Sequence, residues 1–159
     1  MKPNTVGREG GRDPLPFPPA YPDVEIGCPA MGAVLTLDGE MPAEHLFPGD
    51  RVITRDAGAV TLKDLQRVTL RTRAIRLSCG LILPAAQPVL LRDWRAKAMF
   101  KRPQARVMAG DLVDGEFIRD LGHRTLDLVQ LHFDSPHILY CNGVELSSAA
   151  LPARMRPAA

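Results

Sequence analysis

The residues of this chain that could carry chemistry are three cysteines and four histidines, spread over 159 residues. Cysteine thiolates act as nucleophiles or metal ligands, and histidines exchange protons near neutral pH. One group near the C-terminal end has the residue types of a metal site: His132, Asp134, His137 and Cys141. Residues 132 and 134 share a face of a strand, but Pro136 bends the chain after them, and no spacing is diagnostic of zinc. We therefore expect neither a metal site nor a cofactor.

The three cysteines are too few and too scattered for a disulfide scaffold, and no two of them have the CxxC spacing of a structural zinc site. Cys79 and Cys141 stand beside apolar residues and are predicted to be small buried hydrophobic side chains. Cys28 directly follows Gly27, close to where the strand-forming part of the chain begins. The residue types alone leave two interpretations of Cys28 open, a nucleophile or a small residue at the start of a strand.

The elements that must position these residues are predicted to be short strands separated by turns. Strands are predicted over residues 33–37, 51–54, 59–62, 66–71, 74–77, 88–91, 105–108, 125–133 and 137–141. Turn residues separate them, as at Asp38-Gly39, Pro48-Gly49-Asp50 and Asn142-Gly143. Residues 41–46 are expected to form one helical turn or an extended link, and residues 109–113 a helical turn. Many short strands with turn signals between them indicate an all-β sandwich or barrel-like module.

The two ends of the chain differ in composition from this middle part. Residues 1–25 form a proline-rich N-terminal tail, with five prolines between Pro14 and Pro22. Proline disfavours both helix and strand interiors, so this tail is predicted to be disordered. One domain is expected over residues 26–152, and residues 153–159 are expected to form a second disordered tail.

The charge is nearly balanced, with 20 basic and 18 acidic residues and a formal net charge of +2. This balance argues against a nucleic-acid or membrane partner, and the arginines of residues 67–76 are interpreted as a solvated strand face. The apolar run 81–91 is interrupted by Pro84 and Pro88 and is too short to span a bilayer. Because the N-terminus has no apolar signal region, a cytoplasmic protein is expected, with leaderless export left open. No oligomeric state is assigned.

Five sequence blocks, taken in order, resemble those of the Hint (Hedgehog/intein) family. In the first block, Cys28 precedes Gly32 by four residues and leads into a strand. The second contains the Gly49-Asp50 turn followed by an apolar strand. Residues 74–80, 106–115 and 131–143 are similar to later blocks of a bacterial Hint subgroup. The resemblance covers about residues 26–152 and implies an all-β, horseshoe-shaped Hint fold of short, mostly antiparallel strands with one or two short helical turns.

The resemblance implies a self-directed acyl shift at the first residue of the domain. Here the Cys28 thiol would attack the carbonyl of Gly27 and convert the peptide bond into a thioester. The N-terminal segment would be the acyl donor, and an acceptor nucleophile of unknown identity would release it. The family pattern adds Gln87 and His137 as polarising groups, and Cys28 is expected in a central groove near both. A thiol tethered to its target carbonyl has a high effective molarity, and Gly27 lacks a side chain that would crowd the attack.

This sequence departs from the family pattern at the mid-domain histidine, where it carries Gln87. Glutamine forms hydrogen bonds but does not exchange protons near neutral pH, so the general acid of the family is missing. His137 is close to the late family histidine, although Pro136 stands at the matching place, and Gln130 replaces a frequent aspartate. The chain ends in alanine, so protein splicing is not expected.

Two alternatives to a self-processing domain follow from these departures. The first is a diverged, non-catalytic Hint-like module that serves as an interaction or structural domain. The second is an unrelated β-barrel binding module. Cleavage between Gly27 and Cys28, lost when Cys28 is replaced, would separate the self-processing domain from both.

Overall fold

The computed structural model describes residues 26–92, 97–98, 101 and 104–148. The predicted tails, 1–25 and 153–159, and most of the segment around Trp94 lie outside the described residues. Within the described part, the chain forms twelve strands and two short 3-10 turns, Ala43–His45 and Ala109–Leu112. The second lies where the sequence predicts a helical turn, and the first lies where it predicts either a helical turn or an extended link.

The strands form two sheets, and all of their pairings are antiparallel. The strands are β1 Cys28–Pro29, β2 Ala33–Thr36, β3 Gly39–Pro42, β4 Arg51–Thr54, β5 Gly58–Thr61, β6 Asp64–Arg76, β7 Ile82–Pro84, β8 Pro88–Leu91, β9 Ala105–Met108, β10 Arg119–His132, β11 Ile138–Cys141 and β12 Val144–Ser147. One sheet has the order β1-β10-β6-β7. The other has the order β3-β2-β4-β11-β12-β8-β9, with β5 paired to β4.

The central pair of the four-stranded sheet is longer than the sequence predicts. Strand β6 has 13 residues and β10 has 14, whereas β6 was expected as two separate strands. They pair from Asp64 opposite His132 to Arg76 opposite Arg119, with a shift in register between Asp120 and His123. The pattern of apolar residues is interrupted in the middle of β6, where polar side chains are exposed to solvent. Backbone pairing with β10, which the local pattern does not encode, keeps the strand continuous.

Two hairpin turns of the larger sheet are closed by buried threonines. Thr36 Oγ1 donates to the carbonyl of Gly39 at 2.7 Å and accepts from the N–H of Asp38 at 3.0 Å. Thr54 Oγ1 donates to the carbonyl of Gly58 at 2.8 Å in the same way. Each hydroxyl satisfies backbone groups that the turn would otherwise leave unpaired. These turns join β2 to β3 and β4 to β5, while β2 and β4 pair with each other and both pair with β11.

The core fills the space between the sheets and is built from aliphatic side chains around one phenylalanine. The largest fully buried apolar residues are Phe133, Leu46, Leu62, Ile75, Leu83, Leu128, Leu131, Leu139 and Leu146. Cys28 from one sheet and Cys141 from the other belong to the same buried cluster. The predicted burial of Cys141 is therefore confirmed. The prediction for Cys79 is wrong: its side chain is exposed, because Cys79 lies in the turn between β6 and β7.

The all-β fold class with short helical turns is confirmed. None of the helical segments in the described part of the chain has the length and apolarity needed to cross a membrane.

Candidate active site

Cys28 begins the first strand, directly after a glycine in an unusual backbone conformation. Gly27 has φ +156°, which side-chain-bearing residues rarely adopt. A Cβ atom at this position would lie 3.0 Å from Leu128 Cβ and 3.3 Å from the Val129 carbonyl oxygen. Both the dihedral angle and the packing against β10 therefore require glycine. The peptide bond that precedes Cys28 is held closely against strand β10.

Sheet pairing determines where the Gly27–Cys28 peptide points. Cys28 is opposite Val129, and Ala30 N–H donates to the Asp127 carbonyl at 3.0 Å. Hydrogen-bonded pairs alternate along antiparallel strands, so the Cys28 N–H faces the Val129 carbonyl. The backbone groups of Gly27 then face away from β10. On that side Gly27 meets the side chain of Gln87.

Gln87 is fully buried and uses its amide group to hold three backbone groups. Its Oε1 accepts a hydrogen bond from the Gly27 N–H at 2.9 Å. Its Nε2 donates to the carbonyl of Pro88 at 3.0 Å and to the carbonyl of Ser147 at 2.8 Å. The side chain is 1% exposed, so these bonds replace hydration that the amide has lost. Gln87 therefore joins the first strand to β8 and β12 without carrying an exchangeable proton.

A second glutamine holds the residue before Gly27. Gln130 lies in β10, and its Nε2 donates to the carbonyl of Ile26 at 2.9 Å. The two glutamines thus fix consecutive backbone groups immediately upstream of Cys28. The sequence indicated Gln130 only as the replacement of a frequent aspartate, and its contact with Ile26 depends on the pairing of β1 with β10.

The Cys28 thiol contacts a second buried thiol, that of Cys141 on β11. The two side chains share a hydrogen bond. Gly32 makes room for this arrangement, since a Cβ at position 32 would lie only 2.5 Å from Cys141 Sγ. Strands on both sides hold Cys141: it is opposite Val34 of β2 and opposite Val144 of β12.

The shared hydrogen bond gives the two sulfurs opposite acidities. The hydrogen bond with Cys141, together with burial and the nearby charge of Cys141, raises the pKa of Cys28 well above its ordinary value. The same hydrogen bond lowers the pKa of Cys141, although burial and the Glu40 carboxylate oppose this shift. A thiol that donates to a thiolate stabilises the charge on its partner and keeps its own proton. Cys28 is therefore a protonated thiol at neutral pH.

His137 lies in a different cluster, just before strand β11. Its Nδ1 contacts Asp56 Oδ2 at 2.8 Å, and its ring packs edge-on against Phe133 with centroids 5.6 Å apart. The Asp56 Oδ1 accepts from the Ile138 N–H at 2.9 Å. Cys141 is at the other end of the same strand, roughly 13 Å along the chain direction at the rise of an extended strand. The structure thus brings together Gly27, Cys28 and Gln87, and it places His137 with Asp56.

Two members of the site were not predicted as functional from sequence. The sequence predicts Cys141 only as a buried hydrophobic residue, because nothing in its neighbourhood along the chain indicates a contact with Cys28. Gly32 was noted only for its spacing from Cys28. Among the described residues, no three histidine, cysteine, aspartate or glutamate side chains gather into a group that could hold a metal ion.

The described residues form two antiparallel sheets, Cys28 begins the first strand, and the buried Gln87 bonds the residue that precedes it. A family profile described as the Hint domain matches residues 28–152. The match covers most of the chain, and the protein belongs to the Hint domain family. No curated protein sequence matches the chain.

Solved structures with a similar fold are inteins and intein-like domains. The solution structure of a bacterial intein-like domain from Clostridium thermocellum matches with a TM-score of 0.52 and 14% identity, covering 79% of this chain and 99% of that domain. The crystal structure of the gp41-1 intein matches with a TM-score of 0.48 and 13% identity, covering 79% of this chain and 99% of the intein. At such low identity the likeness concerns the fold alone.

Proposed function

We propose that this Hint domain cleaves its own chain between Gly27 and Cys28, with the Cys28 thiol as nucleophile. The main observation that supports this proposal is that Gly27, with φ +156°, directly precedes the buried Cys28. Backbone conformations of this kind are uncommon and cluster at functional sites. Gln130 and Gln87 bond the Ile26 carbonyl and the Gly27 N–H, so they hold the peptide unit immediately upstream of the proposed scissile bond.

The reaction forms one carbon–sulfur bond and breaks one carbon–nitrogen bond. Cys28 loses its proton, and Sγ attacks the carbonyl carbon of Gly27. Collapse of the tetrahedral intermediate expels the backbone nitrogen of Cys28, which takes up a proton and becomes an amino group. Residues up to Gly27 are then joined to Cys28 Sγ as a thioester. An external thiol or water attacks this thioester and releases the N-terminal segment.

The arrangement of proton donors makes this reaction slow. Gln87 stands at the position of the family histidine, but its amide bonds the N–H of Gly27 and has no proton to give, so the leaving nitrogen of Cys28 takes its proton from water. General acid–base assistance is typically worth about 10²–10⁴-fold in rate. The raised pKa of Cys28 lowers the fraction of reactive thiolate at neutral pH. His137, which the sequence suggests as a polarising group, contacts Asp56 and would act here only after a rearrangement.

The experiment is an intact-mass time course of the purified full chain with and without dithiothreitol. We expect the thiol to release residues 1–27 and to leave a product that begins at Cys28. The Cys28→Ala variant should remain full length, and Cys79→Ala, which changes an exposed thiol outside the site, should cleave like the parent chain. A parent chain that keeps its full mass under all conditions contradicts the proposal.

A second candidate function is a Hint domain that no longer cleaves and serves as an interaction or structural module. The observation that favours it is the complete hydrogen bonding of Gln87, whose amide stabilises the fold in the way a structural residue does. Under this alternative, the full-length mass persists with dithiothreitol, and Cys28→Ala has the same mass stability as the parent chain.

A further inference from the structure

Cys28 and Cys141 come from different sheets, yet their side chains are buried in the same core cluster. Both side chains are buried, with 4% and 0% exposure respectively, and a hydrogen bond joins them. The residue types around them are apolar, and Gly32 leaves the space that Cys141 Sγ occupies. Such a contact between two free thiols is the starting geometry for a disulfide, which needs the sulfurs to approach to about 2.05 Å.

We propose that Cys28 and Cys141 are a redox-active pair that a hydroperoxide converts into an intramolecular disulfide. The burial of both side chains in one core cluster, with Cys141 Sγ packed against Gly32 four residues after Cys28, carries this proposal. Strand β1 has only two residues and pairs with a single neighbour, β10, so Cys28 has the freedom to make the small approach that bond formation needs. Hydrogen peroxide is close to water in size and reaches buried thiols more readily than larger disulfide oxidants do.

The oxidation proceeds in two balanced steps. The Cys141 thiolate attacks one oxygen of hydrogen peroxide, forming a sulfenic acid and releasing hydroxide. The Cys28 thiol then attacks the sulfenic sulfur, the sulfur–sulfur bond forms, and water leaves. Overall, two thiols lose two hydrogens and peroxide is reduced to two waters. The lowered pKa of Cys141 makes it the attacking sulfur, and Cys28, which keeps its proton longer, resolves the intermediate.

Formation of this disulfide does not depend on self-cleavage. Its consequence does rest on the proposed function: oxidation would remove the nucleophile, and a reductant would restore it. In oxidised protein, dithiothreitol would therefore have to reduce the Cys28–Cys141 disulfide before a thioester could form and be released.

The test uses the full chain carrying Cys79→Ala, which leaves Cys28 and Cys141 as its two thiols. The folded protein is treated with hydrogen peroxide, blocked with N-ethylmaleimide in denaturant and digested with trypsin without reduction. Trypsin places Cys28 in residues 13–51 and Cys141 in residues 125–154, so a linked pair is directly visible by mass. The first peptide begins at residue 28 if the chain has cleaved itself, so the disulfide is scored in either case.

We expect blockable thiols to fall from two to none per chain, with the two peptides linked and the protein still monomeric on a non-reducing gel. Adding Cys141→Ser should abolish the link and leave Cys28 blockable. The proposal is overturned if both thiols stay reduced at a peroxide dose that oxidises Cys79 in the parent chain, or if the link joins different chains. It is equally overturned if each sulfur is oxidised separately to a sulfinic acid.

Discussion

The side-chain oxygen of Gln87 accepts a hydrogen bond from the backbone N–H of Gly27 at 2.9 Å, across 60 residues of sequence. Gly27 is also the residue whose carbonyl is the proposed target of attack. The nitrogen that would leave belongs to the next residue, Cys28. The Gln87 hydrogen bond organises the site and supplies no proton. A side chain with an exchangeable proton at position 87 should therefore supply the general acid that the site lacks.

Replacing Gln87 with histidine should speed cleavage at Gly27–Cys28. A histidine ring offers a proton to the leaving nitrogen, and such assistance is typically worth about 10²–10⁴-fold. Intact-mass time courses at pH 7 measure the rate. Gln87→Ala is the matched control and should give no acceleration, since it removes the amide without adding a proton donor. A folded Gln87→His protein that cleaves no faster than the parent contradicts the assignment of position 87 as the site of the general acid.

Replacing Gln87 with alanine should also destabilise the fold. The change leaves the Gly27 N–H and the carbonyls of Pro88 and Ser147 without this partner in the core. Each buried polar group left unsatisfied costs about 1–3 kcal/mol, so we expect a loss of at least 2 kcal/mol in the free energy of unfolding. Urea titration followed by circular dichroism measures it. A loss below 1 kcal/mol would show that water replaces the amide.

Replacing Gly27 with alanine should destabilise the protein more than the same change at Gly80. Both glycines have positive φ, +156° and +93°, but a Cβ at Gly80 meets no atom within 4 Å. Strained backbone alone costs about 1–3 kcal/mol, and contact with Leu128 and Val129 adds to this at Gly27 only. Thermal or urea unfolding of the two variants gives the comparison. Equal losses would mean that β10 shifts freely to accommodate the new side chain.

Removing the Cys141 thiol should make Cys28 more acidic. The hydrogen bond with Cys141 is the largest cause of the raised pKa of Cys28, so Cys141→Ala moves the pKa of Cys28 down toward its ordinary value. Burial still opposes ionisation, so the pKa stays above that value. The pH dependence of Cys28 alkylation by iodoacetamide, read by peptide mass, should shift to lower pH. An unchanged profile would mean that burial alone determines its acidity.

The Asp56–His137 pair should make stability sensitive to acid. Burial raises the pKa of Asp56, but hydrogen bonds from His137 and the Ile138 N–H outweigh it, and the net pKa is lowered. A carboxylate with a lowered folded-state pKa contributes stability above its unfolded pKa of about 3.9, and that stability is lost as the pH falls through the folded value. Asp56→Asn should flatten this acid limb in urea titrations between pH 5 and pH 2.

Asp134 provides the control for this measurement. It is 81% exposed and lies 3.9 Å from Lys63 Nζ, a distance at which a solvated pair contributes little. Asp134→Asn should therefore leave the acid limb of the parent chain unchanged. If both variants flatten the curve equally, the pH dependence reflects net charge and not the His137 contact.

Local signals in the sequence determined much of the fold and the identity of the central residue. The Asn142-Gly143 turn was predicted because both residues tolerate positive φ, and the structure gives them φ +50° and +79° in the β11–β12 hairpin. Cys28, Gly27 and Gln87 were predicted as site residues from blocks that resemble the family, and the structure brings them together. Their catalytic roles stay predictions until cleavage is measured.

Only the tertiary structure decided which side chains meet. Cys28 and Cys141 are neighbours because β1 pairs with β10 in one sheet, β11 pairs with β2 in the other, and the two sheets face each other. His137 meets Asp56 for a similar reason, since β11 is placed beside β4. Turn residues and alternating patterns act over a few positions, whereas the order of strands in a sheet arises from packing the whole core. The sequence therefore specified the proposed nucleophile, Cys28, and the folding of two sheets against each other determined which side chain lies beside it.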